Sequence, residues 1–288
     1  MIGSTFRRSW SLLLASWALL KEQPSLLIFP VLAAPAFVAF TALAAGGGFL
    51  IAATGPDGAD PTTSRLVLGF ALMALGFYVF SFATVFLNTA LAGCVLLRLR
   101  GGDPTVADGF RIARSRLGAI AGYAAIASVV GAAISAIQEK AGGFGQIAGA
   151  LGGLAWGLAT ALVMPVLAAE NVGPVAAITR SSGLLKRTFG AQIAGSLSLG
   201  AIVAVPMLLV GLAGGGLIAL GTNSGSGALT AAGIAVLVAG LGLLLLLSAT
   251  VLSALQQIFL TAVYHYAEDG QSDRWFTEDM LRSAFPAR

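Results

Sequence analysis

Between Arg65 and Arg98 lie 32 residues without one charged side chain, LVLGFALMALGFYVFSFATVFLNTALAGCVLL. As a helix this run reaches about 48 Å, against about 30 Å of hydrocarbon in a bilayer. A run that long must cross a membrane, and it must also tilt, break or project beyond it. The rest of the chain repeats the message. Of 288 residues, 57% are hydrophobic and only 10% charged, where soluble domains carry about 25%. Mean hydropathy is +0.91. So few charges cannot cover a soluble surface of this size, whereas a lipid-facing surface needs none. The fold class is all-α: a polytopic helical membrane protein with a single integral membrane domain over 1–288.

Apolar runs at 25–53, 66–97, 118–137, 146–169, 191–220 and 228–264 read as six transmembrane segments. Two of them, 66–97 and 228–264, are too long for one ordinary crossing. Asn88-Thr89 is the expected break or polar contact in the first, and Gln256-Gln257 interrupts the second. Pro30 and Pro35 are expected to kink the first span and Pro165 to bend the fourth. The polar stretches 54–64, 138–145 and 221–227 read as loops.

Charge placement orients the chain. Of 16 Lys and Arg, 14 fall at the termini or in the stretches 98–117 and 170–190, and only Arg65 and Lys140 in the alternate loops. The positive-inside rule therefore expects both termini in the cytoplasm. The lone cysteine, Cys94, lies in an apolar run and says nothing of redox compartment.

Three basic amphipathic stretches precede the apolar pairs. Phe6, Trp10, Leu13, Trp17 and Leu20 share one helical face. Val106, Phe110, Ala113 and Leu117 make a second stripe, with Asp103 and Pro104 as its expected N-cap and first residue. Ile178, Leu185 and Phe189 make a third, with Arg180 and Arg187 opposite. They read as three amphipathic helices on the cytoplasmic side. Arg7-Arg8 before Ser9–Leu20 resembles a signal peptide, but Lys21-Glu22 interrupts the run and no small-x-small site follows. The stripes superpose without gaps, which predicts a threefold internal repeat over 4–100, 104–172 and 173–268. A tail over 269–288 carries Trp275, Phe276, Met280, Leu281 and Phe285, and is expected to dock as a short helix.

Two sets of candidate contacts follow. Arg7, Arg8, Arg111, Arg114, Arg116, Lys186 and Arg187 are placed to meet lipid headgroups. Asn88, Glu170, Gln192, Gln256 and Gln257 are placed for polar contacts at membrane depth. Glycines 145, 149, 153 and 157 give overlapping GxxxG patterns and a close-packing face. His265, between two tyrosines, reads as an interfacial belt residue. No catalytic set, cofactor fingerprint or metal-ligand spacing is legible, and Gly101-Gly102-Asp103-Pro104 lacks the Gly-Lys-Ser/Thr of a phosphate loop. The expectation is a non-enzymatic, lipid-engaging scaffold or accessory protein with membrane lipids and an unidentified membrane protein as partners, and no nucleic acid. The alternative is a transporter or channel for a small solute or lipid.

The residues Arg-Arg-Ser-Trp-Ser-Leu-Leu-Leu-Ala-Ser-Trp, then Leu-Leu-Ile-Phe-Pro-Val-Leu, resemble an uncharacterised family of bacterial multi-pass membrane proteins. Leu-Arg-Gly-Gly-Asp-Pro-Thr-Val-Ala-Asp-Gly is similar to that family's central loop. Pro165-Val166 through Glu170, with Gly173-Pro174, looks like its fourth-helix exit. More distantly the chain is similar to the membrane portion of some glycerophosphodiester phosphodiesterases, which carries no hydrolase residues. The resemblance implies topology and no reaction.

Overall fold

The computed structural model describes residues 14–52, 62–140, 142–189, 200–270 and 275–276, and these are helical almost throughout. Residues 14–22 form α1. A 3-10 turn, Pro24–Leu27, leads into α2 (Ile28–Ala52), followed by α3 (Thr63–Leu99), α4 (Val106–Arg114), α5 (Leu117–Lys140), α6 (Gly142–Thr160) and α7 (Val163–Ala169). Then come α8 (Pro174–Phe189), α9 (Gly200–Ser224), α10 (Gly227–Leu247), a π-helical turn Ser248–Leu252 and α11 (Ser253–Asp269). Among the described residues, five helical stretches are long and apolar enough to cross a membrane: Pro24–Ala52, Thr63–Leu99, Leu117–Glu139, Phe144–Ala169 and Met207–Ser224. That is the mark of an integral membrane protein. A further stretch, Gly227–Leu241, is apolar but shorter.

The overlong run 66–97 is one unbroken helix of 37 residues, α3. Asn88-Thr89 does not break it; Thr89 Oγ1 instead reaches Met164 Sδ at 3.8 Å. What changes along α3 is its surroundings. From Thr63 to Thr84 only Gly69 and Gly76 are buried, whereas Val85, Leu87, every residue from Thr89 to Leu96, and Leu99 are buried. The open stretch spans about 33 Å, one bilayer core. The closed stretch is sheathed by protein. The second overlong run resolves differently: a π turn at Ser248–Leu252 divides it into α10 and α11. α11 is again buried nearly all round, from Ala254 to His265, with Gln256 exposed. α7 is the third such piece, with Val163, Pro165, Val166, Leu167 and Ala168 buried. The second half of α3, α7 and α11 all touch one another. Leu19, Leu20, Leu26 and Phe29 complete the core, with Ile120, Ala177 and Phe276 from α5, α8 and the tail. A polar, tightly packed collar thus sits at one end of the molecule.

Three antiparallel helix pairs leave the collar: α2 with the first half of α3, α5 with α6, and α9 with α10. Glycine lets two of them close up. A Cβ at Gly47 would run into the Gly69 carbonyl oxygen, and one at Gly233 would lie 2.7 Å from that of Gly214. Helices without side chains at the crossing approach until backbones touch, which is how membrane helices gain packing where hydrophobic driving force is absent. The glycine ladder of α6 is used only at its start. Gly149 receives the Gln138 side chain, while nothing lies within 4 Å of a Cβ at Gly153 or Gly157.

The breaks have local causes. α3 stops in a Schellman motif: Gly101, at φ +83°, donates to Arg98 O at 3.0 Å, and Gly102 donates to Leu97 O at 2.9 Å. Only glycine takes that left-handed position cheaply. The N-cap of α4 is Thr105, not Asp103. Its hydroxyl accepts from the Asp108 amide at 3.3 Å, and the Asp108 carboxylate accepts from the Thr105 amide at 2.9 Å. This is the reciprocal capping box written in Thr-Val-Ala-Asp. Asp108 is held below the usual carboxylate range, first by that backbone amide and then by the Thr105 hydroxyl. The carboxylate half of the cap therefore persists above pH ~4 and is lost as pH falls through the lowered value. Pro165 breaks the fourth span one turn earlier than a bend at its end would require, at 161–162, because its ring excludes the Ala161 carbonyl from a helical bond. The freed Leu162 amide donates to Ser181 Oγ at 3.0 Å.

α1 buries Ala15, Ser16, Leu19 and Leu20 and leaves Trp17, on the stripe expected at the headgroups, 38% exposed. Two further expectations are corrected. Leu117 does not continue the α4 stripe but is 45% exposed. The loop expected at 221–227 shrinks to 225–226, since α9 runs to Ser224. Residues 1–13, 53–61, 190–199 and 277–288, with the first half of the N-terminal stripe and most of the tail, lie outside the described residues.

If the collar is the folded core, Leu91→Ala, at a fully buried site, lowers unfolding free energy in detergent by about 2–5 kcal/mol. Leu68→Ala, on the open half of α3, changes it by less than about 0.5 kcal/mol. Thr105→Ala costs about 1 kcal/mol through the lost cap.

Candidate functional site

Charged side chains gather at the collar because the apolar pairs offer them no water. Arg98, at the end of α3, is the first hub. Its Nη2 donates to Glu22 Oε2 at 3.1 Å, and its Nη1 donates to Asp103 Oδ1 at 3.3 Å and to Gly102 O at 3.2 Å. The guanidinium also lies 5.7 Å from the Trp275 ring centroid, and Trp275 Nε1 donates to Glu22 Oε1 at 3.1 Å. Gln23 Nε2 donates to Asp103 Oδ1 at 2.8 Å. One arginine so ties α1, α3, the turn before α4 and the C-terminal tail. The dock of the tail is carried by Trp275 and by Phe276, which is fully buried.

The second hub is Arg180 on α8. Its Nε donates to Glu170 Oε1 at 3.1 Å, and its Nη2 donates to both oxygens of Glu268, at 2.8 and 2.7 Å. Tyr264 Oη donates to Glu170 Oε1 at 3.0 Å. The bond to Glu170 lifts the arginine above its ordinary range, so the bridge holds wherever the carboxylates are ionised. It joins the exit of α7 to α8 and to the end of α11. Between the hubs, Arg100 Nη2 lies 3.8 Å from Asp269 Oδ2, which also sits 2.8 Å from His265 Nδ1. His265 is thus no belt residue at a lipid surface. It is 4% exposed, inside the collar.

The sequence-chosen residues divide. Arg111 pairs with Asp108 one turn away, and Arg116 Nη1 donates to Asn171 Oδ1. Arg114 and Lys186 are exposed and form no ion pair with a described residue. Asn88 is half-buried in α3, Gln256 is exposed and Gln257 is 6% exposed. Gln257 Nε2 has no hydrogen-bond partner among the described residues. Arg7, Arg8 and Gln192 lie outside the described residues, as does the side chain of Arg187. Sequence reading missed Glu22, Arg98, Glu268 and Asp269 as partners. The available signal was their position, each within five residues of the end of an apolar run. Among the described residues no three His, Cys, Asp or Glu side chains are grouped to hold a metal ion.

Beside the Arg180 hub an open groove of about 670 Å³ runs along α8, lined by Glu170, Val172, Val175, Ala176, Thr179, Arg180, Gly183 and Leu184. A second groove, of about 610 Å³, lies at span depth between α2, α3 and α5. Phe40, Phe70, Met73, Phe77, Ser128 and Val129 are among its walls.

In comparisons with known proteins, the model of a family of unknown function (DUF6159) matches residues 67–274, more than two thirds of the chain. No match is found among curated proteins or among solved structures.

A double-mutant cycle on Glu170→Gln and Arg180→Gln should return a coupling of about 0.5–1 kcal/mol. Both side chains are partly exposed, at 24% and 37%, so the coupling should shrink when unfolding is measured at about 1 M salt.

Proposed function

The chain belongs to the family of unknown function (DUF6159) whose model covers most of it, and within that family we propose a non-enzymatic membrane scaffold whose collar engages the lipid surface. The observation that carries this reading is the concentration of charge at one end. Arg98, Arg100, Arg111, Arg114, Arg116, Arg180 and Lys186 all sit at the collar, while Arg65 and Lys140 stand at the far ends of α3 and α5. The asymmetry favours a collar in the cytoplasm of a bacterium, with both termini on that side. Most collar arginines are occupied by carboxylates or amides of the protein. Lys21 and Arg114 are exposed without an ion pair among the described residues, and so are placed for anionic headgroups.

The same reading takes the chain as three copies of one unit: an amphipathic helix, an outgoing span and a returning span that continues into the collar. The units are α1–α3, α4–α7 and α8–α11, six crossings in all. The three returning pieces meet at the centre of the collar, the arrangement that repetition would generate.

A transporter or channel is the second reading. The span-depth groove favours it, because its walls suit an acyl chain better than a hydrated ion. Its test is flux through proteoliposomes, where Ala replacement of Asn88 and Gln256 should lower the rate.

For the scaffold reading, full-length protein in mixed nanodiscs should enrich phosphatidylglycerol over phosphatidylcholine. Lys21→Gln and Arg114→Gln should each remove about 1 kcal/mol of that preference. Equal retention of the two lipids by the unaltered protein contradicts the reading.

A further inference from the structure

We propose that the groove along α8 binds one phospholipid with a primary-ammonium headgroup, of the phosphatidylethanolamine type. The inference rests on the membrane reading above but not on the preference for anionic lipid.

The groove has the depth, the lining and the charge for such a ligand. Glu170, in its wall, directly follows the membrane-length stretch Phe144–Ala169, which puts the groove at the headgroup layer of the bilayer. Its floor is one face of α8. Val175, Ala176, Thr179 and Gly183 share it at helical spacing, and Val172 closes its start from the turn before α8. Val175 is 64% exposed, and nothing lies within 4 Å of a Cβ at Gly183. Thr179 spends its hydroxyl on Val175 O in its own helix, at 3.1 Å, and adds only a methyl group to the floor. Such a surface suits the first carbons of an acyl chain.

The polar wall decides the headgroup. Glu170 and Arg180 line the groove, and Glu268, just outside that lining, bonds to the same guanidinium, which leaves one formal negative charge in excess among the three groups. Lys186 continues the floor three residues past Gly183, exposed and without an ion pair among the described residues. Along the helix it lies about 9 Å beyond Arg180. The site therefore offers carboxylate oxygens at one end and an ammonium at the other, the reverse of a zwitterionic headgroup. A primary ammonium donates three N–H bonds to the carboxylates while its phosphate meets Lys186. A choline group has no N–H to donate, and among the described residues no aromatic ring lines the groove to hold it by its charge. A glycerol headgroup brings no cation for the surplus carboxylate.

The test uses full-length protein in nanodiscs containing equal parts phosphatidylethanolamine, phosphatidylcholine and phosphatidylglycerol, with native mass spectrometry of the lipid retained after ejection. The unaltered protein should hold phosphatidylethanolamine roughly tenfold over phosphatidylcholine, in line with charge-assisted hydrogen bonds. Gly183→Leu fills the floor without touching the ion cluster, and Glu268→Gln removes the surplus charge. Each should abolish the preference. Should Glu268→Gln fail to fold, Gly183→Leu carries the test alone, with its unfolding midpoint in phosphatidylcholine confirming integrity. Equal retention of phosphatidylethanolamine and phosphatidylcholine overturns the proposal, and so does a preference that survives Gly183→Leu. Loss of phosphatidylglycerol enrichment alone bears on the scaffold reading and leaves this site standing.

Discussion

Burial of the second half of α3 is the constraint from which the rest of the structure follows. From Val85 to Leu96 the helix is largely enclosed by protein, although its sequence is nearly as apolar as the open half before it. A helix hydrophobic on all sides needs apolar neighbours on all sides. Lipid supplies them for the first 33 Å or so, measured at helical rise. Past the bilayer only protein can, and α4, α5, α7 and α11 pack against α3 to do so. Of these, α4 is short and amphipathic, α7 and α11 are themselves largely buried, and α5 packs here with its first turns, Ile120, Tyr123 and Ala124, before running on as a span. The Schellman stop at Gly101 and the capping box at Thr105 turn the chain within a few residues, so that α4 folds back on the helix it has just left.

Ion pairs then fix how these pieces sit. Arg98 and Arg180 each join parts of the chain far apart in sequence: Glu22 with Asp103 in one case, Glu170 with Glu268 in the other. Individually such half-exposed pairs contribute little. Their effect is on arrangement, since each arginine satisfies two carboxylates only in one register of the helices. The apolar pairs need no such device. There, contacts between glycine and backbone set the distance, and lipid covers what remains.

The sequence showed much of the fold and little of the site. Composition and the charge-free runs announced membrane helices, and the two overlong runs marked where something more than a crossing occurs. They did not say what. In 66–97 the excess is a continuation of one helix, while in 228–264 it follows a π turn, and no residue type distinguishes the two. The Thr-Val-Ala-Asp cap was legible and was displaced by the more familiar Asp-Pro. At α1 the stripe through Trp17 and Leu20 was legible, while the packed face beside it, Ala15, Ser16 and Leu19, carried no signal of its own. The distant partners, Glu22 of Arg98 and Glu268 of Arg180, lie 76 and 88 residues away along the chain, beyond the reach of any local pattern, whereas Glu170 lies only 10 residues from Arg180. Glu170 stood out as a charged residue at membrane depth; its groove depends on Gly183 and Ala176, small residues that carry no signal of their own.

The central claim is that α3 crosses the bilayer only with its first half. A nitroxide scan from position 64 to 97, in protein whose Cys94 is replaced by Ala, tests it most directly. Collision with oxygen reports exposure to lipid, and collision with a water-soluble nickel chelate reports exposure to water. The account predicts oxygen access with helical period up to about position 84, and access to neither reagent at Ala90, Leu91 and Val95. Strong oxygen access at those three positions would place them in lipid and contradict it.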